Sequence, residues 1–330
     1  MRVQTTDVLQ DQVADAARPL SVSLASERVG SIDRLRVLAA IGIVWFHTDD
    51  APCREIGYAG LPIFLLIFFS LITIRNAEAP LSGFLRRRCD RLLKPWLFWS
   101  ALYSLLRLAR AAFLSDADSL VEMLSLETIL MGTHIHLWYL PYAFAWGCVL
   151  YAVNRRTTRV GHMAVVLPAV GIGLLLLVFH ALCLSSARWA RPLPQWEFGL
   201  AAVPLGFAIG RSRMIPSRQQ RQWLLSVVVL AVLAVCGVLT VLGRATPVIP
   251  HALAIVLVCL AYGRPVNESV VVAALAPLTF GVYLIHPLIH RGLACFITPE
   301  QHCAAFIGLT VCLSGLATLA LMRTPVRRFV

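Results

Sequence analysis

Arg36 and His47 are the two ionisable ends of an otherwise uncharged run within IDRLRVLAAIGIVWFH, Ile32 to His47. On an α-helix eleven steps advance about 1,100°, three turns plus roughly 20°, so the two side chains fall on nearly one face, about 16 Å apart along the axis. A guanidinium and an imidazole aligned on an apolar helix are costly in lipid and are kept where they face a polar interior. A guanidinium there suits an anion, and an imidazole suits proton transfer near neutral pH. The spacing alone also fits a plainer reading, with Arg36 a topology-setting anchor and His47 a wet boundary residue. Asp33, three residues before Arg36, is placed to pair with it.

Three more stretches carry chemistry. FLRRRCDRLLKPW, Phe84 to Trp96, holds Arg87, Arg88 and Arg91, with Arg88 and Arg91 on one face if the segment is helical. Such a cluster can hold phosphates by charge-assisted, often bidentate hydrogen bonds, or can serve only as a stop-transfer signal. In HLWYLPYAF, His136 to Phe144, Trp138 and Tyr139 read first as an interfacial aromatic belt; the other reading has Trp138 gripping sugar or pantetheine. His134 and His136 have no further local ligands, so no metal site is expected. In GVYLIHPLI, Gly281 to Ile289, Tyr283 and His286 share a helical face and Pro287 frees a nearby backbone carbonyl. This pair either lines an acceptor site or makes an interhelical polar contact.

The elements that must position these residues are apolar helices. The chain has 330 residues, 58% hydrophobic and 14% charged, where a soluble domain carries about 25% charged residues. A mean hydropathy of +0.76 points to an integral membrane protein with many spans. The net charge of +12 does not point to nucleic acid, because the charges sit in short blocks between apolar runs. Ten such runs are expected, at about 33–51, 56–74, 92–114, 137–153, 162–184, 196–210, 223–243, 248–263, 270–292 and 303–322. The fold class is therefore all-α, a polytopic bundle of about ten transmembrane helices. The first and sixth runs are short for a span and require internal polar residues or irregular helix. Pro250 suits a helix start, and Pro168, Pro204, Pro277 and Pro287 predict kinks.

Alternating the connections puts 22 of the 29 Lys and Arg residues on one side, which predicts both termini in the cytoplasm of an inner (plasma) membrane protein. His47, His134, His136, His286 and His290 then map to the outer half, and Arg36, Arg86, Arg87, Arg88 and Arg91 to the inner mouth. Residues 1–30 read as a polar tail and 31–330 as one membrane domain. Cys148, Cys183, Cys236, Cys259 and Cys312 lie in apolar runs without paired spacing and read as small buried hydrophobes.

Taken in order, the Arg36-to-His47 helix, the Arg88-x-x-Arg91 segment, the LWYL segment and YLIHP resemble the acyltransferase family 3 membrane proteins, which include polysaccharide O-acetyltransferases, over about residues 31–325. The resemblance implies transfer of an acyl group, acetyl above all, from cytoplasmic acyl-CoA to a hydroxyl of a carbohydrate or cell-surface glycan. It implies that Arg36, His47, Arg88 and Arg91 occupy functional positions. Acyl-CoA is then a donor substrate and no resident cofactor is expected. His47 is the candidate base, Arg87 joins the donor cluster, and His286, Tyr283, Trp138 and His136 are candidates for the acceptor side. One departure from the family pattern lies in GLPIFLLIFFSLITI, Gly60 to Ile74, where Phe68 and Phe69 stand in place of a small Ser-Gly pair and predict altered packing. Polar residues at membrane depth and proline-interrupted spans would also serve an exporter of a lipid-linked or small polar substrate, and the departure leaves room for a catalytically silent member.

Overall fold

The structure is a computed structural model that describes residues 30–75, 80–114, 126–182, 189–267 and 269–330. The polar tail up to residue 29, with Cys183 and Arg188, lies outside the described residues. Among the described residues the chain is helical, with no strand. Among the described residues each of the ten apolar runs carries helix over most of its length. Six helical stretches are long and apolar enough to cross a membrane: Arg54–Arg75, His162–Leu182, Arg218–Val241, Thr246–Gly263, Val270–Leu293 and Cys303–Met322. The remaining runs are helical but shorter, interrupted or more polar.

The helix α1, Gly30–His47, carries Arg36 and His47, and α2, Gly60–Arg75, packs beside it. A helix apolar all round belongs inside a bundle, and α2 is such a helix: 72% of the Arg54–Arg75 span window is buried, against 22% for Cys303–Met322. Small residues let its neighbours come close: Gly60 at its start meets the α1 backbone, where a Cβ would collide with the Ala39 carbonyl oxygen, and farther along the neighbour supplies them. The helix α9, Ala202–Arg213, presents Gly206 to Phe69 and Gly210 to the α2 backbone. A Cβ on Gly206 would stand 2.7 Å from Phe69 Cβ, and one on Gly210 would stand 2.7 Å from the Ser70 carbonyl. Phe69 is fully buried in that contact. The Phe68–Phe69 departure is thus answered at Phe69, where bulk on α2 meets Gly206 on α9.

The other elements fix the two ends of α2. The helices α3, Leu81–Arg88, and α4, Lys94–Leu114, join through a π-turn at Cys89–Leu93, so the segment expected as an inner loop is helical from Leu81 onward. A short helix α5, Leu126–Met131, precedes α6, Tyr139–Arg156, and α7, His162–Leu182. The sixth apolar run is interrupted at Ala201, between α8, Leu193–Leu200, and α9; it buries one polar residue within it, Glu197, and Arg211 is buried just past its end. His180 on α7 meets both Glu197 oxygens at 2.8 and 3.0 Å. Arg211 donates to the Thr157 carbonyl at 3.0 Å, and Asn154 donates to the Thr73 carbonyl at 3.0 Å, which ties α9, α6 and α2 at their basic ends.

Two helices follow: α10, Arg218–Val241, lies at the periphery, and α11, Ile249–Gly263, with Pro250 in its first turn, packs on α1 and α2. Pro277 interrupts the ninth run: α12, Val270–Leu275, passes through a 3-10 turn into α13, Thr279–Leu293. Pro168 and Pro287 sit within helices that continue through them. The last helix, α14, is Cys303–Met322. Cys259 is buried and Cys148 and Cys236 are half-buried, but Cys312 is exposed on α14 and is no core residue.

Gly210→Ala puts a methyl group against backbone that cannot yield, and should destabilise the detergent-solubilised protein by about 1–3 kcal/mol. Gly237→Ala on α10 meets nothing within 4 Å and should leave the thermal midpoint unchanged or raise it. Equal midpoints for the two variants would contradict the close α2–α9 approach.

Candidate functional site

A cavity of about 760 Å³ opens among α1, α2, α3, α6 and α13. Its wall holds six arginines: Arg36 from α1, Arg75 from the last turn of α2, Arg87 and Arg88 from α3, Arg91 from the π-turn, and Arg328 from the 3-10 turn Pro325–Phe329. Leu61, Phe64, Ile67, Phe68 and Leu71 of α2 supply an apolar side. Asp90 is the one acid among the lining residues, and it is paired with Lys94 at 2.6 Å. The Lys94 hydrogen bond holds the Asp90 carboxyl below its ordinary range, so Asp90 stays an anion committed to Lys94. Arg36 pairs with Asp33 at 3.1 Å, as the three-residue spacing predicted.

Arg88 and Arg91 both line the cavity, as their three-residue spacing allows, with Arg88 at the end of α3 and Arg91 in the π-turn. Arg88 lies over two aromatic rings, 5.2 Å from the Phe68 centroid and 5.4 Å from that of Phe84. Phe68 is therefore part of the arginine's seat, a cation–π contact in a poorly hydrated place.

At its inner end the cavity meets Tyr139 and Tyr283, whose rings stand 5.6 Å apart. Behind them lies a cluster of histidines. The Tyr283 hydroxyl donates to the carbonyl of buried His136. His136 Nδ1 and His134 Nδ1 are 2.6 Å apart, so one ring donates and the other accepts. His286 is buried, its ring 5.8 Å from His136 and 5.3 Å from His47.

The sequence sets the state of His286. Pro287 has no N–H, so the carbonyl four residues back, that of Tyr283, loses its helical donor. His286 Nδ1 fills the gap, lying 2.8 Å from the Tyr283 oxygen and 3.3 Å from that of Val282. A carbonyl only accepts, so Nδ1 carries the hydrogen and neutral His286 keeps the Nε2 lone pair free.

The expected stripe on α1 is present but not continuous as open space. Arg36 and Ile43 line the cavity, and Ala40 and Val44 pack on Val282. His47 is exposed and is not among the lining residues: the cavity stops about one helical turn short of it, at Tyr283. Arg36 and His47 thus share a helix face without sharing the cavity, and His286 lies between Tyr283 and His47. The aromatic-belt reading of Trp138 and Tyr139 is also corrected. Trp138 is 5% exposed and packs edge-on to Tyr142 at 5.3 Å. Its neighbour Tyr139 takes the cavity position instead. Of the candidates, Arg36, Arg87, Arg88, Arg91 and Tyr283 meet at the cavity, and His136, His286 and His47 meet behind it. Sequence reasoning missed Arg75, which lies seven residues, about two helical turns, after Phe68 on one face of α2. It also missed Arg328, for which no local signal existed. Among the described residues no group of three or more His, Cys, Asp or Glu side chains could hold a metal ion.

A family model described as an acyltransferase domain matches residues 29–321. The chain belongs to acyltransferase family 3. No curated protein and no solved structure matches it. With its apolar helices, this member of acyltransferase family 3 is an integral membrane protein.

Tyr283→Phe removes the donor to a buried carbonyl and should destabilise the protein by about 1–3 kcal/mol, read as a lower thermal midpoint in detergent. An unchanged midpoint would show that the bond ties nothing together.

Proposed function

We propose that the protein is a membrane O-acyltransferase that uses acyl-CoA, acetyl-CoA in the first instance, to acylate a hydroxyl of a carbohydrate or cell-surface glycan. The observation that carries this reading is the cavity itself, six guanidiniums against one committed acid, with apolar wall leading inward to two tyrosines. Such a surface suits a ligand with several phosphates and a long, weakly polar arm. The basic end of the bundle is the cytoplasmic one in this reading, and the membrane is the inner membrane.

The donor lies with its phosphates on Arg36, Arg87, Arg88 and Arg91 and its thioester toward Tyr139 and Tyr283. The acceptor hydroxyl arrives from the histidine side. His47 takes the hydroxyl proton as the oxygen attacks the thioester carbonyl; the C–O bond forms, the C–S bond breaks, and the proton goes to the departing thiolate. The products are an ester and CoA thiol. His286, with Nδ1 tied to Tyr283 and Nε2 unprotonated, stands between His47 and Tyr283 and is placed to pass that proton inward. His136 and Tyr283 hold the partition, and Trp138 supports it from within the core rather than touching substrate.

Purified protein in nanodiscs, labelled acetyl-CoA and candidate glycans test the reading. His47→Gln and His286→Gln should each lower kcat by about 10²–10⁴-fold while CoA binding persists. Arg88→Gln should instead weaken CoA binding by about tenfold or more. Full acylation by His47→Gln would remove it from the mechanism, and glycan transport without CoA consumption would favour an exporter.

A further inference from the structure

One wall of the cavity comes from a segment that belongs to none of the motifs. The 3-10 turn Pro325–Phe329 follows α14 and is held against α4 by two contacts of different kinds. Phe329 stacks on Phe98 with centroids 4.6 Å apart and planes 4° from parallel. The Phe329 carbonyl accepts a hydrogen bond from Trp99 Nε1 at 2.8 Å, and Trp99 is buried. Thr324 caps the turn by accepting from the Val326 N–H at 3.2 Å. A turn fastened so firmly fixes the origin of the side chain before Phe329, and that side chain is Arg328.

Arg328 lines the mouth of the cavity and is exposed. Its Nε donates to the Pro325 carbonyl at 3.4 Å, and its terminal amino groups make no hydrogen bond or ion pair to the described residues. It adds one more positive charge to a wall whose single acid is already paired. Gathered like charges repel, and an arrangement of this kind is stabilised when an anion joins it.

Depth and chain segment together sort the anions. Arg36 and Arg88 are half-buried, whereas Arg75, Arg87, Arg91 and Arg328 are exposed; of these four, Arg328 alone comes from outside the α2-to-π-turn stretch, on the 3-10 turn Pro325–Phe329. Coenzyme A also carries its phosphates in two places: a pyrophosphate next to the pantetheine arm and a monoester phosphate on the 3′ position of the ribose, farther from the sulfur. With the thioester innermost, the pyrophosphate meets the deeper guanidiniums and the 3′-phosphate is left near the rim. We propose that Arg328 binds the 3′-phosphate of the donor and makes the protein select CoA over its 3′-dephospho form. This rests on the reading of the cavity as the acyl-CoA site.

The test measures binding of CoA and of 3′-dephospho-CoA to the full chain in nanodiscs by titration calorimetry. The wild type should bind CoA about tenfold more tightly than dephospho-CoA. Arg328→Gln should lose about that factor for CoA, keep its affinity for dephospho-CoA, and so show no preference. Arg328→Lys, which keeps the charge and loses the fork, should retain part of the preference. Matched thermal midpoints establish that the variants are folded. Equal weakening of both nucleotides by Arg328→Gln, or of neither, would overturn the assignment while leaving the donor reading intact. Absence of CoA binding to the wild type would overturn both.

Discussion

A guanidinium among phenylalanine rings inside an apolar bundle is tolerable only if water, a carboxylate or a bound anion answers its charge. Six guanidiniums around one cavity sharpen that constraint, because Asp33 answers only Arg36 and the one acidic side chain of the lining, Asp90, is engaged with Lys94. Much of the rest of the bundle can be understood as the means of holding them there. The buried apolar α2 supplies the low-dielectric wall that makes each charge count. The glycines of α9 let α2 pack closely at Phe69 and Ser70, Phe68 lies under Arg88, and Arg88 and Arg91 line one space on either side of the π-turn's start.

The opposite end of the site is governed by hydrogen bonding rather than charge. One proline removes one backbone donor, one imidazole replaces it, and the tautomer of His286 follows. Tyr283 belongs to both halves: its ring faces the arginine cavity, its hydroxyl holds the carbonyl of His136, and its own carbonyl holds His286. The arginine cavity and the histidine cluster therefore meet at a single residue. Any movement of α13 that opens the cavity toward His47 must also disturb these bonds.

The helices were legible because apolar runs of this length have few other solutions in a membrane. The Arg36–Asp33 pair, the helical placement of Arg88 and Arg91, and the tyrosine–histidine face of α13 were legible for the same reason: they depend on helical spacing within one segment. What was not legible depends on contacts between segments. Phe68 and Phe69 predicted altered packing because the compensating glycines are on another helix, far along the chain. Trp138 and Tyr139 looked equivalent, yet their burial against different neighbours separates a core residue from a cavity residue. Arg328 reaches the site only because Phe329 docks on Phe98 and Trp99, which no spacing rule could give.

The central claim is that the arginine cavity holds a polyphosphate donor with its sulfur end at the tyrosine partition. An electron cryomicroscopy structure of the full chain with CoA in nanodiscs measures this directly. The account predicts phosphate density among Arg36, Arg87, Arg88 and Arg91 and the thiol beside Tyr139 and Tyr283. CoA density elsewhere on the protein, or a cavity holding CoA with its adenine innermost and its sulfur at the rim, would contradict it.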